Sequence, residues 1–320
     1  AQVLGPWAAP VIAVAALIEV WLERKVSAHM QCRVGPMVTG WHGILQTAAD
    51  GLKLFLKEDV IPAMADKPLY ILAPGVVFTG AMLSWAVLPL GPGWIPADLN
   101  IGMLYLLATS SLVAIGVIMA GWASHSKWTL YGAMRTAAQF LSYEVPTALH
   151  ILPPVLMAGT LQLSGIVDAQ QGGALGAGHW YVFNPVCLIA FMAYYISSLA
   201  EVGRTPFDLP ETESELVAGA FTEYSGIRYA FFYMAEYADL FVTSAVGALL
   251  FFGGWYGPFG LQGWYVYLAK VVGLILMAMW LRWTLPRLRI DQLMALCWKF
   301  LIPLGLINIL LAALWAAMVG

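Results

Sequence analysis

Long apolar runs alternate along this chain with short polar or charged ones, and eight of the runs reach the roughly 20 residues that carry a helix across a hydrocarbon core. They fall at about 3–22, 69–90, 101–121, 140–160, 181–200, 229–256, 264–285 and 298–318. None has the strict alternation of a barrel strand, so the expectation is an all-α polytopic membrane protein, a bundle of about eight transmembrane helices. The stretch from Trp41 to Lys57 has a different pattern. Ile44, Leu45, Ala48, Leu52, Phe55 and Leu56 share one side of a helix, and Gln46, Asp50, Lys53 and Lys57 the other. Such a helix lies in the membrane interface, either as an anchor or as the floor of an opening for a lipid-soluble ligand. Further on, Thr205 and Leu209 precede Pro206 and Pro210 and are driven to extended backbone, so the fifth run cannot continue through 204–209. Glu211-Thr212-Glu213-Ser214-Glu215-Leu216-Val217 then suits a new short helix, with proline near its first turn and acids at the positive end of its dipole.

Composition agrees with the pattern, since 61% hydrophobic and 10% charged residues with a mean hydropathy of +0.78 lie outside the range of soluble domains. The first run lacks a basic leading segment and ends at Trp21-Leu22-Glu23-Arg24-Lys25 instead of a small-residue cleavage site, so it reads as a retained helix in a single membrane domain, 1–320. Lysines and arginines segregate sharply. The connections 91–100, 161–180 and 257–263 hold none, and of the 15 cations only Lys270 falls within a run away from the charged side. By the positive-inside rule the long loops 23–67, 122–139, 201–228 and 286–297 face the cytoplasm, or the matrix of an organelle. The chain is therefore expected in a bacterial or mitochondrial inner membrane, with partners docking on the looped side. A net charge of −3 gives no sign of nucleic acid. Cys32, Cys187 and Cys297 stand apart, the histidines are scattered, and no phosphate loop or dinucleotide fingerprint occurs, so no metal or redox cofactor is expected within the chain.

The acids point to chemistry. Six carboxylates and two arginines crowd the segment from Glu201 to Arg228 between two apolar runs. Others lie inside the runs: Glu144 in the fourth, Glu236 and Asp239 at i and i+3 in the sixth, and Glu19 one turn before Glu23 in the first. A carboxylate inside a span costs about 2.5–3.5 kcal/mol, so such residues face a bundle interior and mark an ion or proton path. Structural pairing with Arg135, Arg282 or Lys270 is the competing explanation, while His150 reads as a satisfied core histidine.

The polar segments also carry a resemblance. Leu22-Glu23-Arg24-Lys25, Arg33-Val34-Gly35-Pro36, Ala49-Asp50-Gly51-Leu52-Lys53-Leu54-Phe55, Gly121-Trp122-Ala123-Ser124 and Ser142-Tyr143-Glu144-Val145 occur in that order. They are followed by Arg204-Thr205-Pro206-Phe207-Asp208-Leu209, Glu213-Ser214-Glu215-Leu216-Val217, Met234-Ala235-Glu236-Tyr237 and Arg289-Ile290-Asp291-Gln292-Leu293. Over nearly the whole chain these resemble the H-subunit family of respiratory complex I, the proton-translocating NADH:quinone oxidoreductase. The resemblance implies a membrane protein that walls part of the quinone chamber, with quinone as substrate. Flavin and iron–sulfur clusters would belong to partner subunits, and the neighbours would be inner-side iron–sulfur and quinone-site subunits, membrane-arm subunits and lipid. It further implies Arg24, Arg33, Asp50, Lys53, Tyr233 and Arg282 along the quinone path, and Glu144, Glu201, Asp208, Glu211, Glu213, Glu215, Glu223 and Glu236 in an acidic path toward the membrane arm. Tyr233 adds a hydroxyl where some members carry phenylalanine, and Glu19 lies outside the family pattern. Membrane-bound hydrogenases and ferredoxin-dependent complexes share much of this pattern. A stand-alone transporter would call for inverted repeats, which the chain lacks, and a plain anchor would need no acidic series.

Overall fold

The computed structural model describes residues 8–172, 179–209 and 218–319, and every regular element among them is helical. In chain order these are α1 (Ala8–Met30), α2 (Gln46–Leu56), α3 (Lys67–Val87), α4 (Gly102–Ala123), α5 (Lys127–Ala158), α6 (Leu163–Asp168), α7 (Pro185–Glu201), α8 (Gly226–Phe251), α9 (Trp264–Thr284), α10 (Ile290–Ala295) and α11 (Ile302–Val319). A π-helical stretch, Leu296–Leu301, joins the last two into one rod.

Within the described residues, five segments are long and apolar enough to cross a membrane: Lys67–Val87, Gly102–Ala123, Gly226–Phe251, Trp264–Thr284 and Ile290–Met318. Helix α7 is apolar too but shorter. Charges dilute the runs in α1, which carries Glu19, Glu23, Arg24 and Lys25, and in α5, which carries Lys127, Arg135 and Glu144. The result is a multi-pass helical membrane protein. Helix α5 differs from the expected boundary: it starts at Lys127, inside the stretch read as an inner loop, and runs 32 residues. Hydropathy marks only the apolar part of a helix, and residues 127–139 contain no proline to stop it. The amphipathic element opens with a 3-10 turn, Trp41–Gly43, before α2 begins. Its Leu45, Leu52, Phe55 and Leu56 are left exposed, as an interfacial helix requires. Glu211, Glu213 and Glu215, with the short helix expected there, lie outside the described residues.

Helix α8 is the central column, with 78% of its apolar window buried against 33% for α4 and for α9. It packs on α3, α9, α1 and α7. Since lipid tails are as apolar as the side chains, helix contacts here depend on close fit. Helix α4 approaches α3 so closely that a Cβ at Gly116 would lie 2.4 Å from the Val77 side chain. Lys270 explains itself structurally: its Nζ donates to the carbonyls of Phe252, Gly254 and Tyr256 at 2.5, 2.8 and 2.6 Å and sits 4.2 Å from the centre of the Trp180 ring. A cation thus caps the C-terminal end of α8, where the helix dipole is negative. His150 is fully buried; its Nδ1 lies 2.7 Å from the Pro146 carbonyl, while its Nε2 has no hydrogen-bond partner among the described residues, so the expected satisfied core histidine is satisfied at one nitrogen only.

Candidate functional site

Two faces of α8 set out the site. Tyr229, Tyr233 and Tyr237 follow one another at i, i+4 and i+8, so they stack up one face, and Tyr233 and Tyr237 pack on Ala16 and Val20 of α1. Glu236 and Asp239, at i and i+3, lie on another face, toward α5 and α7.

Glu23 of α1 stands at the Tyr237 end of the tyrosine series, buried to 7% exposure. Its Oε2 accepts a hydrogen bond from the Tyr237 hydroxyl at 2.7 Å, and its two oxygens accept from Arg204 Nη1 at 3.0 and 3.1 Å. Arg282 Nη1 also donates to Glu23. The Arg204 guanidinium reaches Glu236 at 3.2 Å through Nη2 and lies 4.6 Å from the Tyr237 ring centre. Burial works against the Arg204 charge, but the Glu236 and Glu23 carboxylates outweigh it and hold the guanidinium protonated well above its ordinary range.

Local backbone delivers Arg204 to this point. Helix α7 ends at Glu201, and Gly203 takes a left-handed φ of 68°, which turns the chain so that the Arg204 amide bonds the Leu199 carbonyl at 3.1 Å. Residues 204–209 leave the helix, as the prolines require. Gln139 of α5 holds the turn by donating to the carbonyls of Ala200 and Phe207 at 2.6 and 3.0 Å, and the Leu288 amide donates to the Pro206 carbonyl.

Outside the tyrosine series opens a cavity of about 850 Å³ lined by Arg24, Arg33, Gly35, Gln46, Asp50, Lys53, Tyr229 and Tyr233. Arg24 Nη1 bridges α1 to α2 by donating to Asp50 at 2.5 Å, and Gln46 donates to the same carboxylate at 3.3 Å. Five of the six residues expected along a quinone path therefore wall one space. The sixth, Arg282, lies behind it on Glu23, joined to the wall through Tyr237 and the 3.2 Å contact between the Tyr233 and Tyr237 hydroxyls.

On the other face of α8 lies a second cavity of about 110 Å³, lined among others by Thr136, Gln139, Tyr143, Glu201, Asp208, Glu236 and Asp239. That is room for several waters. Glu201 and Asp239 also line a smaller space of about 30 Å³ with Ser110, Thr147 and Tyr194. Asp208 accepts from Arg287 at 2.8 Å. Glu144 lies at a distance from which its charge acts on Glu201 without lining either space. Glu223 is elsewhere, where its carbonyl accepts from the Tyr70 hydroxyl at 2.7 Å, and it belongs to neither cavity.

The arrangement adds Arg204 and Tyr237, to which sequence reasoning gave no role, and it gives a place to Glu23 and Asp239, which that reasoning named only among the acids of the apolar runs. Glu23, Arg204 and Tyr237 stand inside the motifs that carry the family resemblance, and Asp239 follows Glu236 by one turn. Among the described residues no group of His, Cys, Asp and Glu forms a candidate metal site. Chemically the assembly is a wide, partly charged chamber, a hydroxyl pair, a buried double ion pair and a carboxyl-lined cavity in direct succession.

A family model described as NADH dehydrogenase matches residues 6–313. The H subunit of the NADH-quinone oxidoreductase of Chlorobaculum tepidum is 48% identical over 311 residues, covering 92% of this chain and 86% of the relative. The second of the H subunits of Geobacter metallireducens is 46% identical over 314 residues, with 92% and 89% covered. The H subunit of Anaeromyxobacter dehalogenans is 45% identical over 327 residues, with 94% and 78% covered. With matches of this extent at both levels, the chain belongs to the NADH dehydrogenase family.

Proposed function

We propose that this chain is the membrane subunit of a proton-pumping NADH:quinone oxidoreductase, and that it supplies part of the quinone chamber and the first carboxyls of the path that couples quinone reduction to proton translocation. It lacks a complete active site of its own. Flavin and iron–sulfur clusters reside in partner subunits docked on the looped, inner side of the inner membrane, other membrane-arm subunits and lipid surround the bundle, and quinone is the substrate. The observation that carries this reading is the unbroken polar succession from the large chamber through Tyr233, Tyr237 and Glu23 to Arg204 and Glu236 at the acid-lined cavity.

Each part has a task. The exposed apolar face of α2 lies beside the chamber and admits an isoprenoid tail from the membrane. Arg24, Arg33 and Lys53 guide a polar headgroup, with Asp50 holding Arg24 in place, and the long stems of the arginines pack against the tail. Reducing a quinone to a quinol takes up two electrons and two protons, so charge changes at the chamber. That change acts on Glu23 and Arg204 across a low-dielectric interior with little screening. Arg204, shared between Glu23 and Glu236, passes the effect to the cavity where Glu201, Asp208 and Asp239 gather.

The test is a kinetic one. Arg33→Met and Lys53→Met each keep an apolar stem and remove a charge, so each raises the apparent KM for long-tailed quinones roughly threefold to tenfold with kcat little changed. Unchanged KM across several tail lengths in both variants would mean that quinone does not pass these residues.

A further inference from the structure

Glu19 of α1 has no place in the succession described so far, although it lies one helical turn from Glu23. It is 6% exposed, and among the described residues neither of its carboxyl oxygens has a hydrogen-bond partner. Arg204 and Glu23 are the charges that act on it. The elements packed on α1 bring few other groups. Helix α8 brings Tyr233, Tyr237 and Glu236, α9 brings Arg282 on Glu23 and the phenol of Tyr267, and α3 brings Trp85. Arg24 of α1 is taken by Asp50 of α2, and Asp208, which acts on Glu236, is paired with Arg287. The buried cluster therefore holds three carboxyls, Glu19, Glu23 and Glu236, and two guanidiniums, Arg204 and Arg282.

Two guanidiniums balance two carboxylates. A third negative charge, buried and unpaired, is far more costly than a neutral carboxyl in the same place, so the cluster carries one proton. Glu23 accepts from Tyr237, Arg204 and Arg282, a set of donors that takes a carboxylate. Glu236 faces Arg204 at 3.2 Å, and its side chain, 26% exposed, lines the acid-lined cavity. Glu19 has neither donors nor solvent at its oxygens. We infer that Glu19 holds a proton in the resting protein and gives it up to the tyrosine relay when quinone is reduced. This assignment rests on the quinone chamber proposed above. As the reduced quinone takes a proton from Tyr233, Tyr237 replaces it, Glu23 passes one to Tyr237, and Glu19 supplies Glu23. One proton thus leaves the Glu19 carboxyl and one arrives on a quinone oxygen, while the electrons come from the partner subunits. The anion left on Glu19 has a donor available, because Arg204 Nε is buried and without a hydrogen-bond partner among the described residues. A guanidinium drawn to Glu19 loosens its hold on Glu236, and the change reaches the acid-lined cavity.

The experiment uses the assembled complex. Infrared difference spectra are recorded on a step to alkaline pH without NADH and, separately, on reduction by NADH with quinone present. In wild type each spectrum should show the C=O band of a protonated carboxyl disappearing as carboxylate bands grow, and Glu19→Gln should remove that component from both. Glutamine matches the protonated acid in shape and charge, so the variant should assemble and melt as wild type does. Its quinone reduction should fall at least about tenfold, with electron transfer from NADH to ferricyanide preserved. Glu19→Asp keeps a carboxyl and should restore most of the rate together with a C=O band. The absence of such a band from either wild-type spectrum overturns the assignment whether or not the variants assemble, and so does a band that persists unchanged in Glu19→Gln. A Glu19→Gln complex that fails to assemble where Glu19→Asp succeeds overturns it too, since a carboxylate is then required. Loss of the band with quinone reduction at the wild-type rate overturns the donation to the relay. The pH step involves no quinone, so a failure of the chamber itself shows separately, as an unchanged KM in Arg33→Met and Lys53→Met.

Discussion

Tyr237→Phe is the sharpest perturbation the site offers, because it removes one oxygen and leaves the packing alone. The ring stays 4.6 Å below the Arg204 guanidinium and keeps its contact with Ala16 and Val20. Two links disappear: the 2.7 Å hydrogen bond donated to Glu23 and the 3.2 Å contact with the Tyr233 hydroxyl. A hydrogen bond to a charged group contributes about 1.5–3 kcal/mol. Tyr237 and Glu23 are 4% and 7% exposed, so solvent does little to replace or screen it. Two guanidiniums still hold Glu23, so assembly should survive. The chamber, however, loses its hydroxyl connection to the ion pairs, and a step drawing on that connection slows by at least about tenfold, the equivalent of ~1.4 kcal/mol. NADH-driven quinone reduction and proton uptake would be measured together in membrane vesicles. Electron transfer from NADH to ferricyanide serves as the control for the partner subunits. The expected result is a joint fall in quinone reduction and proton uptake with the ferricyanide rate preserved. Wild-type quinone reduction and proton yield in an assembled Tyr237→Phe complex would refute the relay.

The remaining predictions separate function from structure elsewhere. Asp208→Asn keeps the volume and loses one charge of the acid-lined cavity together with the Arg287 pair; quinone reduction should fall and inhibitors should bind more weakly, with thermal stability within ~1 kcal/mol of wild type because Arg287 is exposed. Full activity and inhibitor affinity in that variant would make Asp208 a structural loop residue. Lys270→Met should do the opposite, destabilising the protein by about 2–3 kcal/mol, since three carbonyls lose one donor, while quinone reduction per assembled complex is unchanged. An unaltered melting temperature would show that those carbonyls find other partners.

The sequence made some of this legible because the signals were local. Apolar runs, the segregation of cations and the two-sided pattern of residues 41–57 each depend on neighbours within a few turns, and helices formed accordingly. Where a charged or polar face extended an apolar run, as in residues 127–139, hydropathy stopped short and the helix did not. Lys270 was a candidate partner for a buried acid, yet its partners are main-chain carbonyls, which leave no trace in side-chain identity. The ion-pair cluster was illegible for a different reason. Glu23 meets Arg204, Tyr237 and Arg282 across separations of 181, 214 and 259 residues. No periodicity reports contacts at that range; only the packing of α1 against α8 and α9 does.

The Arg-Thr-Pro-Phe-Asp segment shows how far a readable motif can be from a readable role. Its prolines foretell a break after Glu201, and its acids suggest a solvated or proton-handling loop. What the fold makes of it is a mount for one guanidinium. Gly203 turns the chain back, Gln139 grips the carbonyls on both sides of the turn, and the Leu288 amide closes it from beyond the far end of α9. Three elements that share no sequence signal thereby hold Arg204 between a carboxylate of α1 and one of α8. Breaking such a buried pair by removing one partner costs about 3–5 kcal/mol. The loop is therefore fixed from its buried end, by the charge it delivers, as much as by its own backbone.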